Sequence, residues 1–388
     1  MDIDDSARPL DGAAISEFLR SRPTPPRVLG LGEARHFVPE LGAARNEIFR
    51  HLAEHEGYRT FALESDCLLG LLVDDYLLTG TGTLEDVMAR GFSHGFGAVP
   101  ANRELVRWMR AYNAEHDEKL RFAGVDGPLE YWAASPRQAL TGLYALLEGP
   151  MLEAVVSAQT LDALLGPDDP WSNEAAAMDP ALSIGRSAEA VRLRVIADDL
   201  VALAEMQSPQ LSAADRELAA LYGRTAVGLL RYHYWMADAS PARWTRLSAL
   251  RDAMMAANLR AAAANGPVLV FASTLHLQRT RSVMAFGDHQ LEWWSAGAIA
   301  ETTLGDEYAF LATAFGTAGT DTPPPDTVEG RLSALPWERA LIDTGRLAER
   351  DPKPRTSDDF AYFPLDPTRL GTLDGIVFLA RATFDMPW

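Results

Sequence analysis

Arg27-Val28-Leu29-Gly30-Leu31-Gly32-Glu33-Ala34-Arg35-His36 begins as an apolar β-strand run and closes on a carboxylate and an imidazole three residues apart. A parallel strand opens into a cleft at its carboxyl end, so this stretch delivers Glu33 and His36 where a proton can be moved. The chain holds only eight histidines, and one placed beside a glutamate at a strand end is the first candidate for general acid–base work.

Working outward, the proline-rich stretch Pro23-Thr24-Pro25-Pro26 cannot continue a helix, which makes residues 1–26 a lead-in and residues 27–388 the folded unit. Downstream, Leu41, Ala44, Ile48 and Leu52 recur at helical spacing until Gly57, a stop signal. The strand, acid, helix order then repeats. Residues 58–63 form a β-run ending on Glu64, followed by a helical stripe through Leu68, Leu71, Leu72 and Tyr76. Residues 120–125 form another ending on Asp126, after a helical stretch over 102–115, and residues 267–272 run into Ser273, Thr274 and His276.

This alternation predicts an α/β fold with a central, mostly parallel sheet flanked by helices. Residues 136–265 are rich in alanine and leucine and nearly free of strand signals, predicting a large helical insertion that forms one wall of a cleft. Residues 308–314 and 375–380 are further strand candidates, with Pro323-Pro324-Pro325 in a loop between them. No fixed-period repeat occurs, which argues against a solenoid.

Composition narrows the function. The chain has 388 residues, 47% hydrophobic and 23% charged, enough for a large core. Fifty-four acidic and 35 basic residues give a net charge of −19. That field repels nucleic acid and anionic membranes and tolerates neutral or cationic small molecules, so a small-molecule substrate is the expected partner. No apolar run has the roughly 20 residues of a membrane span. Cys67 is the single cysteine and the first five residues carry three aspartates and no basic residue, which predicts a cytoplasmic protein. The oligomeric state is not encoded in any of these features.

Several short motifs compete with the strand-end site. Gly91-Phe92-Ser93-His94-Gly95 matches G-x-S-x-G, but residues 83–90 before it read as a helix and a loop follows, whereas a nucleophile elbow needs a strand before it. His94 remains a cleft candidate. His51-Leu52-Ala53-Glu54-His55 matches H-x-x-E-H, a zinc-binding spacing, yet it sits at a helix end where solvated imidazoles are favoured. Gly30-Leu31-Gly32 is too short for a dinucleotide fingerprint and no phosphate-binding loop occurs, so no cofactor is predicted. Tyr232, His233, Tyr234 and Trp235 read as core packing or as an apolar wall for a ligand. Arg251-Asp252 reads either as a salt bridge tying helix to sheet or as an arginine aimed at the cleft.

Taken together, Gly32-Glu33-Ala34-Arg35-His36-Phe37, Glu40, Arg45, Ala62-Leu63-Glu64-Ser65-Asp66, the Asn102 to Trp108 segment, Gly124-Val125-Asp126, Arg251-Asp252 with Met255 and Asn258, His276, residues 305–310 and Asp374-Gly375 resemble the erythromycin esterase family in its order. That family includes macrolide esterases, which open lactones by adding water, and succinoglycan-biosynthesis-like proteins. The resemblance implies a metal-independent ester or lactone hydrolase acting on a macrolide or another bulky secondary metabolite. It makes His36 the base that deprotonates water, with Glu33 and Glu64 supporting it. His276 and Arg45 would handle the oxyanion or the substrate, and Arg35, His94, Asn102, Asp126, Arg251 and Ser273 complete the binding side. Two positions depart from the family pattern. Ser273 stands where the family carries a histidine three residues before His276, and Arg35 replaces a small threonine beside His36. A lyase, dehydratase or cyclase using the same His/Glu site is the alternative, and a module that only sequesters a metabolite is a third reading.

Overall fold

Residues 6–129, 133–344 and 352–384 are described by the structure, a computed structural model. Their strands are β1 (Ala7–Pro9), β2 (Val28–Glu33), β3 (Thr60–Asp66), β4 (Arg121–Asp126), β5 (Val268–Ser273), β6 (Arg281–Phe286), β7 (His289–Trp294), β8 (Tyr308–Ala318), β9 (Arg339–Ile342) and β10 (Gly375–Ala382). Eight of them form one sheet in the order β1-β9-β10-β8-β2-β5-β3-β4, and β6 with β7 forms a separate hairpin. From β10 to β4 every neighbouring pair is parallel. β9 runs antiparallel to both β10 and β1.

All residues of β2, β3 and β5 are buried, as expected of central parallel strands covered by helices on both faces. This is why they read as unbroken apolar runs. One face packs Leu29, Leu31, Phe61, Leu63 and Phe271 against the helix Pro39–His55. The other packs Val28, Val270 and Phe310 against Met255 and Leu259 of the helix Arg243–Ala264. The parallel register sets Glu33 opposite Ser273, so the ends of β2, β5, β3 and β4 open on the same edge of the sheet. Gly32 allows the close approach there: a Cβ would lie 2.8 Å from both the Phe310 ring and Thr274 Oγ1.

Between β4 and β5 the chain is helical, dominated by Ala188–Gln207, Ala213–Met236 and Arg243–Ala264. Leu140, Leu143, Leu193, Leu200 and Leu230 give this block its own apolar centre. Residues 6–26 are more than a lead-in. Ala7–Pro9 pairs with β9, and the helix Gly12–Ser21, capped by Asp11, packs Ile15 into the core. The helix 39–55 ends as its sequence predicts, with Gly57 in the left-handed region at φ 76°.

Candidate active site

The side chains come from the carboxyl-end edge of the sheet, where β2 ends on Glu33 and β3 carries Glu64 two residues before its end. Glu33 is the last residue of β2, and the turn after it carries His36 back over the strand end. There Nδ1 of His36 lies 2.6 Å from Oε2 of Glu33. A carboxylate only accepts, so this nitrogen carries the proton and Nε2 is left toward the cavity. The other oxygen, Oε1 of Glu33, accepts the backbone N–H of Phe37 at 3.1 Å, fixing the turn.

Glu64, from β3, sits between two imidazoles. Its Oε2 is 3.9 Å from Nε2 of His36 and accepts the backbone N–H of Ser273 at 2.7 Å. Its Oε1 is 3.0 Å from Arg251 Nη2 and 3.3 Å from His276 Nε2. His276, on the short helix Thr274–Leu277, places Nδ1 2.6 Å from Oδ1 of Asp252. Asp252 is fully buried and also accepts from the Ala296 N–H and the Trp293 indole. The result is a chain of alternating charge, Glu33, His36, Glu64, His276, Asp252, with Arg251 closing it from the side. Arg251 holds Asp126 through both carboxylate oxygens, at 2.6–3.1 Å.

The electrostatics follow from this alternation. Burial lowers the basicity of His36, but Glu33 and Glu64 outweigh it and the net shift is upward. Burial also opposes the charge on His276, and the carboxylates of Asp252 and Glu64 overcome it, raising its pKa to about 10. Burial alone would raise Glu64, yet His276, His36 and Arg251 hold its pKa well below the usual carboxylate range. At neutral pH His276 is therefore an imidazolium between two carboxylates, and His36 is shifted in the same direction by Glu33 and Glu64.

These groups line a cavity of about 470 Å³. His36, Glu64, His94, Arg251, Ser273 and His276 supply its polar part, and Phe37, Phe96, Phe360 and Phe363 its aromatic part. Phe37 and His94, the non-glycine residues with positive φ among the described residues, both face it, at 66° and 54°. Backbone strain of this kind persists where the surroundings dictate it. Here the Phe37 N–H is held by Glu33, and Nδ1 of His94 lies 2.7 Å from Ser93 Oγ. His94 Nε2 is 3.7 Å from Asp126.

Four residues expected on the substrate side lie outside the cavity lining. Arg45 is buried between the rings of Phe61 and Phe271 and bonded to Asn46, outside the cavity lining. Burial brings its pKa down to about 10. Asn102 is buried under the Phe96 turn, whose carbonyl it holds at 2.9 Å. Arg35 does not project charge into the cleft. Its Nε donates to Asp359 at 2.6 Å, its guanidinium lies over Phe384, and its Nη1 donates to the His36 carbonyl. Asp126 is fully buried behind Arg251.

The competing motifs find structural roles. Ser93 is buried, accepts the Asp66 N–H at 2.8 Å and steadies His94. His51 bonds Ser16 at 2.8 Å, and His55 lies beside it with its ring tilted by 51° on the exposed helix end. Among the described residues no three His, Cys, Asp or Glu side chains are grouped to hold a metal ion. His233 bonds the Ala134 carbonyl, and burial takes its pKa down to about 4. Tyr234 and Trp235 stack on Arg186 away from the cavity. Asp252, which orients His276, went unassigned from sequence. Its signal was adjacency to Arg251, since neighbours on a helix can address two different partners across the same sheet edge.

Among the described residues no helix is long and apolar enough to cross a membrane. Comparison with known proteins agrees with the fold. A Bacillus cereus protein of solved structure superposes with a TM-score of 0.74 at 16% identity, covering 98% of this chain and 96% of that one. A succinoglycan biosynthesis protein does so at 0.72, with 16% identity and the same coverage. A mutant of the erythromycin esterase EreC in its open conformation gives 0.65 at 18% identity, covering 95% and 93%. In sequence, erythromycin esterase type II of Escherichia coli is 32% identical over 102 residues, 26% of this chain and 24% of that protein. Type I of the same organism is 27% identical over 122 residues, 31% and 28%. The matched stretch thus spans about a quarter of the length of these curated relatives. The family profile described as erythromycin esterase matches residues 53–381, most of the chain, and the protein belongs to that family.

Proposed function

We propose that this protein hydrolyses an ester or lactone in a bulky small molecule, a macrolide or another secondary metabolite, with His36 as general base. The observation that carries the reading is the placement of two imidazoles on either side of Glu64, each backed by its own carboxylate, Glu33 for His36 and Asp252 for His276. The 3.9 Å between Nε2 of His36 and Oε2 of Glu64 is a span that one attacking water can bridge at ordinary hydrogen-bond lengths. His36 takes a proton from that water as its oxygen attacks the acyl carbon. Glu33 then stabilises the imidazolium that forms, the role an orienting carboxylate plays in any such pair.

The attack moves charge onto the carbonyl oxygen. The His276 imidazolium and the Arg251 guanidinium, both on the cavity wall, are the positive groups available to meet it, at roughly 3 kcal/mol per well-placed donor. Collapse of the tetrahedral species breaks the C–O bond, and the leaving alkoxide takes a proton from His36 or His276. Glu33, Glu64, Asp126 and Asp252 outnumber the two fixed cations, Arg251 and His276, so the site carries net negative charge. That balance and the aromatic lining favour a substrate that is apolar with a cationic substituent.

The test is incubation of macrolide, lactone and ester candidates in water enriched in oxygen-18, followed by mass analysis of the product. One labelled oxygen in the acid product, absent with His36→Ala, is the expected result. A product that has lost water, or that is isomeric with its substrate, would replace this reading with the lyase or cyclase alternative. Tight binding without any product would point to sequestration.

A further inference from the structure

Away from the catalytic edge, the helices Ala188–Gln207, Ala213–Met236 and Arg243–Ala264 enclose a second cavity of about 550 Å³. Its walls are mainly apolar, with Val201, Ala204, Val227, Leu250 and Met254 among them. At the rim Asp198 and Glu205 are matched in number by Arg216 and Arg231, all four exposed. The rim is thus neutral overall.

Arg224 breaks that balance. It is half-buried on the cavity lining, and its Nε donates to the neutral Asn258 Oδ1 at 2.5 Å. Among the described residues it has no carboxylate at ion-pair distance, and its two Nη atoms make no hydrogen bond. Asn258 is itself fixed, because its amide nitrogen donates to the Val125 carbonyl at 3.1 Å. The side chain that holds Arg224 is therefore not free to turn away. A half-buried guanidinium facing apolar walls is costly without an anion, and burial already weakens its hold on its proton. The planar pair of Nη donors matches a carboxylate bidentately, and the volume falls in the range of small-molecule pockets.

We propose that this cavity binds an amphipathic carboxylate, a medium-chain fatty acid or an acid of similar shape, with its head on Arg224 and its chain between the three helices. The site is independent of the catalytic edge and shares no lining residue with it.

Isothermal titration with decanoate, compared with 1-decanol, tests this on the full chain. The expected result is one saturable decanoate site, with decanol bound more weakly. Arg224→Gln should weaken decanoate on the order of tenfold, the loss of one charge-assisted head contact, and leave decanol unchanged. Ala220→Trp, an exposed position on the lining, should block both ligands while preserving the thermal midpoint. It keeps the test decisive if Arg224→Gln folds poorly. His36→Ala should leave binding intact. Absence of a saturable site, equal affinity in Arg224→Gln, or loss of binding in His36→Ala would each overturn the proposal.

Discussion

Glu64 is the residue on which the account turns, because it is the shared partner of two imidazoles that need opposite protonation states. His276 is held as a cation by Asp252 and Glu64 together, with its pKa near 10. Its raised pKa makes the folded state more stable at pH below the ordinary value of 6.5, and that stabilisation is lost as pH rises toward about 10. The thermal midpoint should fall across that window, and Asp252→Asn should flatten the fall while lowering the midpoint at pH 7. Activity should respond as well. With Asp252 neutralised, His276 gives up its proton at a lower pH, and the alkaline limb of the rate profile moves down.

His36→Ala should cost about a hundred- to ten-thousandfold in kcat with little change in substrate affinity. That Glu33, His36, Glu64 and His276 come together was legible in the sequence, because each stands at or just past the end of an apolar run, where position alone implies a cleft. The position of Arg45 and Asn102 outside the cavity lining was not legible, because polarity inside a helix does not reveal whether a side chain faces the cleft or is buried beneath it. Arg45 took the second course, between two aromatic rings.

At the scale of elements, the site depends on how closely β3, β4 and the helix Arg243–Ala264 approach one another. Gly124 has no room for a side chain: a Cβ would come 2.6 Å from the Ser65 carbonyl oxygen, which belongs to the backbone and cannot rotate aside. Gly124→Ala should therefore destabilise by about 1–3 kcal/mol and lower activity by shifting Glu64, as checked by urea unfolding beside kinetics. Arg251 reaches from the helix to both strands. Arg251→Met leaves Asp126 buried without its partner, and a loss of about 3 kcal/mol or more is expected in the same unfolding experiment. The central strands were readable because burial on both faces makes them uniformly apolar. The pairing of β6 with β7 was not recognised, since β6 is largely exposed or half-buried outside Ser282 and its apolar run, Val283 to Phe286, is only four residues long. Gly287-Asp288 between them was the turn signal. β1 and β9, of three and four residues, are too short to show a period.

For the molecule as a whole, the candidate cavity is closed by segments distant in sequence, and Arg35 joins them. It binds Asp359, while the Phe363 N–H donates to the Ala34 carbonyl at 2.8 Å. This sets Phe360 and Phe363 over the cavity, with Phe360 84% exposed. An aromatic side chain that exposed contributes little to folding, so Phe360→Ala should raise KM for bulky substrates several-fold and leave the thermal midpoint unchanged. Arg35→Thr should act on the same KM and additionally speed hydrogen exchange over residues 352–365. The most direct measurement is the pH dependence of single-turnover hydrolysis for the wild type and Glu33→Gln. Glu33 and Glu64 hold the His36 pKa above its ordinary value, so removing the Glu33 charge should move the rising limb to lower pH and reduce the plateau rate. A rising limb that stays in place, with the rate unchanged, would contradict the assignment of His36 as the base.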